Sequence, residues 1–224
     1  MLLISIDTSG RNGSVALCRG EGNSFETLQL TSLEGGTYSA RLMPLISALL
    51  QQNGFGKTDV DGFVVVSGPG SFTGLRVGLA TVKGLCEVLQ KPLATVSMLE
   101  ALALTYATPD EPVTALLDAG RGEIYLGEYQ VSAGHAHLVR EWIAKLEEFG
   151  AQPASGPLLT PDAKVADTLR GAGCNVRLVD RLNAEHIGGI GLRKLLAGET
   201  ADPATIDVNY IRRSDAEIFS APKH

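Results

Sequence analysis

The stretch from residue 63 to residue 89, FVVVSGPGSFTGLRVGLATVKGLCEVL, constrains the fold more than any other part of the chain. It begins with Phe63–Val66, a short apolar run between glycines, which predicts a strand buried on both faces. Apolar residues then recur at helical spacing, and they predict a helix with one buried face formed by Leu75, Leu79, Val82, Cys86 and Leu89. A buried strand leading through a glycine-rich turn into a helix is typical of an α/β fold.

The turn between this strand and this helix is a candidate anion site. Unpaired amides and the helix dipole both favour a negative charge at a helix N-terminus, and a Ser or Thr at this place can cap the first turn. The candidate phosphate-binding residues of the turn are Gly68, Gly70, Ser71, Thr73 and Gly74. An alternative stays open, in which Gly74, Gly78 and Gly84 let the helix lie close against a neighbouring element.

Two common nucleotide motifs do not fit the turn. A Walker A loop requires Lys after its last glycine, whereas Gly74 is followed by Leu75 and Arg76. A dinucleotide-binding loop requires a third glycine where Thr73 stands, and an acidic residue after the next strand, which ends near Val96 without one.

The segment Gly68–Arg76, followed by Val77–Ala80, resembles the signature of the bacterial TsaB (YeaZ) family. These proteins are paralogues of the TsaD/Kae1 proteins, once labelled M22 glycoproteases, and belong to the actin-like ATPase superfamily. The resemblance implies an α/β fold of two duplicated actin-like, ribonuclease H-like units, each with a mixed sheet flanked by helices.

The same resemblance implies a function. It indicates a non-catalytic accessory subunit for forming the threonylcarbamoyl group on adenosine 37 of ANN-decoding tRNAs. Such a subunit binds a TsaD-type catalytic subunit and a TsaE-type ATPase, and it reaches tRNA through that complex. The resemblance implies no catalytic residues and no required cofactor, although weak ATP or ADP binding is compatible with it.

Composition argues against several other classes of protein. The 224 residues carry a net charge of −6, which argues against broad nucleic-acid binding by this chain alone. The cysteines, Cys18, Cys86 and Cys174, are scattered and indicate neither a disulfide framework nor a zinc site. No targeting segment precedes Leu2, and no apolar run approaches the ~20 residues that a membrane span needs. We therefore expect a cytoplasmic protein without membrane contact.

A pattern near the start of the chain returns about 111 residues later. Leu2–Asp7 predicts a strand ending in a carboxylate, followed by a polar turn and a return strand. Val113–Asp118 predicts the same arrangement, with a glycine-rich turn before its return strand. Thr108–Pro112 contains two prolines and two acids and is the best linker. We therefore predict duplicated domains at 1–108 and 109–224, with the last segment packing back on the first.

The acids at these strand ends leave two interpretations open. Asp7, Thr8 and Ser9 resemble the first phosphate loop of actin-like ATPases, where an acid and turn hydroxyls hold metal and phosphate. An alternative function is therefore an actin-like phosphotransferase or ATPase that uses Asp7 and Asp118. In the simpler interpretation, Asp7 only accepts hydrogen bonds from the amides of its own turn.

A metallopeptidase of the M22 type is a further, weaker alternative. Catalytic relatives carry a metal-binding histidine pair at the start of the first helix, and the aligned position here is Tyr38. We therefore expect no metal centre. His135 and His137 could bring two imidazoles to one side of an extended segment, but without a third ligand nearby we expect an exposed strand end. His186 is expected to be structural.

The partner surface is predicted on two apolar helices of the first half, residues 42–50 and 75–89. Both are more apolar than packing on one sheet face requires, which predicts cover on a second side. The family pairs with its paralogue through this half, and the same surface can form homodimers. The predicted interface residues are Leu42, Leu45, Leu49, Arg76, Val77, Ala80, Gly84 and Val88.

Overall fold

The computed structural model describes residues 1–22, 24–151, 156–209 and 211, which form two α/β units. The elements of the amino-terminal part are β1 (Leu2–Asp7), β2 (Asn12–Glu21), β3 (Ser24–Glu34), α1 (Tyr38–Gln52), β4 (Gly62–Gly68), α2 (Phe72–Leu89), β5 (Leu93–Ser97) and α3 (Met98–Tyr106). Those that follow are β6 (Pro112–Gly120), β7 (Glu123–Ser132), β8 (His135–Lys145), α4 (Leu146–Gly150), β9 (Leu158–Thr160), α5 (Ala163–Gly171), β10 (Val176–Leu178) and α6 (Ala184–Leu196).

The first unit is built on a mixed sheet of strand order β3-β2-β1-β4-β5. β1 pairs antiparallel with β2 and parallel with β4, and both β1 and β4 are almost fully buried. Helices α1 and α2 cover the face to which Phe63 points, and α6 covers the face to which Val64 points. The predicted strand at 63–66 is therefore buried on both faces, as its continuous apolar run indicated.

The second unit repeats this plan. Its sheet has the order β8-β7-β6-β9-β10, and β6 pairs antiparallel with β7 and parallel with β9, as β1 does with β2 and β4. Its core lies between the sheet and α4 and α5, and includes Leu116, Ile124, Leu126, Leu146, Phe149, Leu158, Val165, Ala166, Leu169 and Val176. The same strand order and directions in both units confirm the predicted duplicated α/β fold.

The division of the chain differs from the predicted one at residue 108. The first unit comprises Met1–Ala101 and Leu182–Val208, while Leu102–Arg181 belongs to the second unit. Helix α6 returns to the first sheet because Gly188 and Gly191 let its backbone lie directly on the side chains of β1, β2 and β4. Lys194 of α6 adds an ion pair with Glu100, at 2.7 Å between Nζ and Oε1.

Several elements were not predicted from the sequence. β8, α4 and β9 carry weak patterns because β8 is an edge strand with mostly exposed side chains and the other two are short. In the part of the chain that the structure describes, no helix is long and apolar enough to cross a membrane. From the sequence, residues 208–217 resemble the carboxyl-terminal element of the TsaB family. Within that segment, Tyr210 and residues 212–217 lie outside the described residues.

Candidate functional site: the glycine turn and the exposed face of helix α2

The glycine-rich turn before α2 packs directly against the turn that follows β1. The Ser71 amide donates to the Ser9 carbonyl oxygen at 2.6 Å. A Cβ atom on Gly74 would overlap the Thr8 carbonyl oxygen, and one on Gly78 would overlap the Thr8 hydroxyl. A Cβ on Gly70 would meet the Cβ of Ser9 at 2.8 Å. The structure thus brings together the two candidate loops of the first unit, and their glycines are required by close packing.

Asp7 is held by its own turn. Its Oδ1 accepts hydrogen bonds from the Ser9 amide at 2.8 Å and from the Ser9 hydroxyl at 2.6 Å, and the residue is only 5% exposed. In the second unit, Asp118 Oδ1 accepts from the Gly120 amide at 2.8 Å in the same i to i+2 arrangement, although Asp118 is exposed. Both acids therefore act as turn acceptors, which favours the simpler of the two interpretations.

The cap of α2 is Ser71 rather than Thr73. Its Oγ accepts the Gly74 amide at 3.3 Å, while Thr73 is exposed at the start of the helix. Gly68 has a φ of 131°, in the region that favours glycine, and the Gly68–Pro69 peptide is cis. Gly74 has no positive φ, so the requirement for glycine at this position comes from steric contact and not from the backbone conformation.

Tyr38, the first residue of α1, is anchored to the two turns. Its hydroxyl donates to the Gly10 carbonyl oxygen at 2.8 Å, and its ring lies beside Gly13 and Gly74. Burial raises the pKa of the Tyr38 phenol, and the negative charge of Asp7 raises it further, so the hydroxyl stays protonated as a donor. Among the described residues, no group of three or more His, Cys, Asp or Glu side chains could hold a metal ion.

An open cleft of about 600 Å³ lies beside these two turns. Its described lining combines glycine backbone with hydroxyl groups and one guanidinium, contributed by residues such as Ser39, Ser71, Thr73 and Arg11. No carboxylate is among these lining residues, and Asp7 does not line the cleft. The lining can therefore bind a polar group, but it offers no acidic ligand for the magnesium ion of a nucleotide.

Substituting Gly74 tests the packing of the two turns. Gly74→Ala is expected to reduce the free energy of unfolding by about 1–3 kcal/mol, because the new methyl group overlaps the Thr8 carbonyl oxygen. Gly84→Ala is a matched control on the same helix, since nothing lies within 4 Å of its Cβ position. That control should raise stability by about 0.5–1 kcal/mol through helix propensity. Urea unfolding followed by circular dichroism measures both, and equal effects of the two substitutions would contradict the packing argument.

Helix α2 carries two apolar stripes on opposite sides. Leu75, Leu79, Val82 and Cys86 are buried against the first unit. A second stripe, offset by two residues and so by about 200° around the axis, comprises Thr73, Val77, Ala80, Gly84 and Val88. All of its members are exposed except Val77, which is half-buried, and Val88 is 77% exposed. This second stripe, here named the outer stripe, is a largely apolar helix face that no residue in the described ranges covers.

The structure changes the predicted partner surface at two positions. Leu42 and Leu49 are each 1% exposed and face the core of the first unit, so we remove them from that surface. Leu45 is half-buried, and Arg76 is exposed with its guanidinium 3.7 Å from the centroid of the Phe72 ring. Burial could not be assigned from the sequence alone, because both sides of these helices are apolar.

Sequence reasoning missed a second feature beside the outer stripe. Between α1 and the end of α2 lies a groove of about 330 Å³ whose apolar lining includes Met43, Ile46, Leu50, Leu85 and Leu89. Met43 is 48% exposed at its edge. The sequence signal is the apolar character of Met43 and Leu85 outside the predicted buried positions of each helix. Leu89 was predicted to be buried and is only half-buried in the structure.

Comparison with known proteins identifies relatives of this chain by sequence. A family model described as TsaD, tRNA N6-adenosine threonylcarbamoyltransferase, matches residues 35–177. The tRNA threonylcarbamoyladenosine biosynthesis protein TsaB of Bacillus subtilis (strain 168) is 33% identical over 156 residues, 66% of this chain and 67% of that protein. The protein of the same name from Haemophilus influenzae (strain ATCC 51907 / DSM 11121 / KW20 / Rd) is 34% identical over 131 residues, 57% of this chain and 53% of that protein.

A solved structure extends the similarity to nearly the whole chain. YeaZ from Pseudomonas aeruginosa superposes with a TM-score of 0.71 at 27% sequence identity, over 92% of this chain and 98% of that one. Its similarity agrees with the signature residues of the glycine turn and with the relatives named TsaB. The chain therefore belongs to the TsaB (YeaZ) family.

Proposed function

We propose that this chain is a non-catalytic, cytoplasmic subunit in the formation of threonylcarbamoyladenosine on tRNA. In this proposal it binds a TsaD-type catalytic subunit and acts together with a TsaE-type ATPase, and tRNA is reached through the complex. The similarity to proteins named for this biosynthesis supports the pathway. The observation that supports the subunit role is the outer stripe of α2, an apolar helix face that the described residues of the chain leave exposed.

The geometry of the two turns supports a non-catalytic role. The Ser9 amide and the Ser9 hydroxyl both donate hydrogen bonds to Asp7 Oδ1. None of the described residues that line the neighbouring cleft is acidic. Tyr38 donates its proton to a backbone carbonyl and replaces an imidazole that could ligate a metal. These residues stabilise the packing of β1 against α2, so the chemistry of the proposed complex is assigned to the TsaD-type partner.

The outer stripe is suited to a helix from a partner. Ala80 and Gly84 at its centre allow a second helix to approach closely, because neither residue carries a side chain beyond a methyl group. Val88 at one end and Met43 at the edge of the adjacent groove supply exposed apolar contacts. We expect the interface to bury about 1,600 Å² in total, and the same surface to form a homodimer when the catalytic subunit is absent.

Charge substitutions on the outer stripe test this surface. Ala80→Asp and Val88→Asp should each weaken pairing with the TsaD-type subunit by about 100-fold or more, because a carboxylate would be buried without a partner. Both positions are exposed in the free chain, so its stability should change by less than about 0.5 kcal/mol. Size-exclusion chromatography with light scattering, with and without the catalytic subunit, measures both pairing and homodimer formation.

A matched control comes from the second unit. Val139 on β8 is also apolar and is 64% exposed, so Val139→Asp adds the same charge to a different surface. Pairing should survive that substitution. Pairing that persists through Ala80→Asp and Val88→Asp together, or that is lost with Val139→Asp alone, would place the interface elsewhere on the chain.

A further inference from the structure

The hairpin of β7 and β8 presents two histidines on one side of an edge strand. The strands are joined by Ala133 and Gly134, with φ angles of 50° and 79°, which is the pattern of a two-residue type I′ turn. His135 and His137 begin β8 directly after this turn. Because side chains alternate along a strand, residues two apart point to the same face. The tight turn therefore fixes the backbone that carries both imidazoles.

The two rings are placed for binding one ion. Their centroids are 6.4 Å apart, with the ring planes tilted by 30°. An ion about 2.0–2.1 Å from one nitrogen of each ring puts the two centroids about 5 Å apart at a tetrahedral angle and about 6.5 Å apart when the two nitrogens are opposite each other. The observed separation is therefore about 1 Å longer than a tetrahedral site requires. Both side chains are exposed, so a small rotation about their χ angles brings them closer.

Neither imidazole has another assignment in the fold. In the part of the chain that the structure describes, the imidazoles of His135 and His137 make no hydrogen bond or ion pair, and each ring lies beside the other. His186 differs, since its Nδ1 lies 2.9 Å from the Asn183 side-chain oxygen at the start of α6. The neighbouring cation, Arg140, is paired with Glu128 at 2.7 Å, so its charge is compensated.

We propose that His135 and His137 form a surface chelate for a divalent transition-metal ion of the Cu²⁺, Ni²⁺ or Zn²⁺ class. Neutral imidazole nitrogen is a preferred ligand of these ions, whereas Mg²⁺ and Ca²⁺ select oxygen ligands. The protein supplies two ligands and water completes the coordination. The site lies on the second unit and shares no residue with the glycine turn or the outer stripe.

Trp142 gives a direct readout of this site. It is the single tryptophan of the chain and lies on β8, about 15 Å along the strand from His137. Bound Cu²⁺ should quench its fluorescence in a saturable titration, and isothermal titration calorimetry with ZnCl₂ should show one site per chain. MgCl₂ should have no effect. Electron paramagnetic resonance of the copper complex should show nitrogen hyperfine coupling from imidazole.

Three variants decide the assignment. His135→Ala and His137→Ala should each weaken copper binding by about tenfold or more, because removing either ligand destroys the chelate. The double variant His186→Ala/His224→Ala removes the two other histidines and should bind as the wild type does. Melting curves of the His135→Ala and His137→Ala variants without metal should coincide with that of the wild type, since both positions are exposed. Binding that both single variants retain, or that the His186→Ala/His224→Ala variant loses, would overturn the proposal.

Discussion

Gly191→Val is expected to destabilise the protein by about 3 kcal/mol or more, corresponding to a fall in melting temperature of about 6–12 °C. Gly191 lies on the face of α6 that packs on the first sheet, and a Cβ atom there would overlap both methyl groups of Val64 and lie 2.9 Å from its Cβ. Val64 is fully buried in β4 and has no free volume into which it could move. The helix must therefore lift from the sheet to accept the new side chain.

Gly189→Ala is the matched control for this prediction. Gly189 is two residues earlier on the same helix, and a Cβ there would lie 3.6 Å from the Phe25 ring, an ordinary contact. We expect this substitution to be neutral or to stabilise by about 0.5–1 kcal/mol. Thermal unfolding followed by far-ultraviolet circular dichroism distinguishes the two variants. A Gly191→Val protein that melts with the wild type would show that α6 does not lie on β4 as described.

The strands and helices of the two sheets could largely be predicted from sequence periodicity. The apolar run at 63–66 predicted β4, and the helical repeat from Leu75 predicted α2. Each prediction was possible because the spacing of apolar residues indicates which side of an element is buried. The acid-ended strands at Asp7 and Asp118 predicted the duplication, and the two sheets have the same strand order. Ser97 and Glu100 form a capping box at the start of α3, a pattern that the spacing of Ser97 and Glu100 predicts, with the Glu100 amide 3.5 Å from the Ser97 hydroxyl.

The long-range contacts could not be predicted in the same way. The pattern of α6 shows that one face is apolar, but it does not say which sheet that face covers, so residues 184–196 were placed in the second domain. Leu42 and Leu49 were placed on a partner surface for a similar reason. Both sides of α1 carry apolar residues, so the sequence pattern does not show which side faces the core of the unit. The role of Gly74 depends on Thr8, which is distant in sequence and meets it only in the folded unit.

Omitting this chain from a reconstituted reaction is expected to have the largest functional effect. With a TsaD-type subunit, a TsaE-type ATPase, tRNA, ATP and threonylcarbamoyl-adenylate, we expect threonylcarbamoyladenosine to form only when the chain is present. The chain alone should form none, because its turn acid is held by Ser9 and the Tyr38 hydroxyl is bonded to the Gly10 carbonyl oxygen. When Val88→Asp protein replaces the wild type in this mixture, the yield of threonylcarbamoyladenosine should be close to the yield of the mixture from which the chain is omitted.

The measurement that tests the central claim most directly is the yield of threonylcarbamoyladenosine in tRNA digests, quantified by mass spectrometry, for each omission from this mixture. A non-catalytic subunit predicts product from the complete mixture, none from the chain alone, and a loss of about 100-fold or more when only the chain is omitted. Product formed by the chain without the TsaD-type subunit, or a full yield in the absence of the chain, would contradict that role.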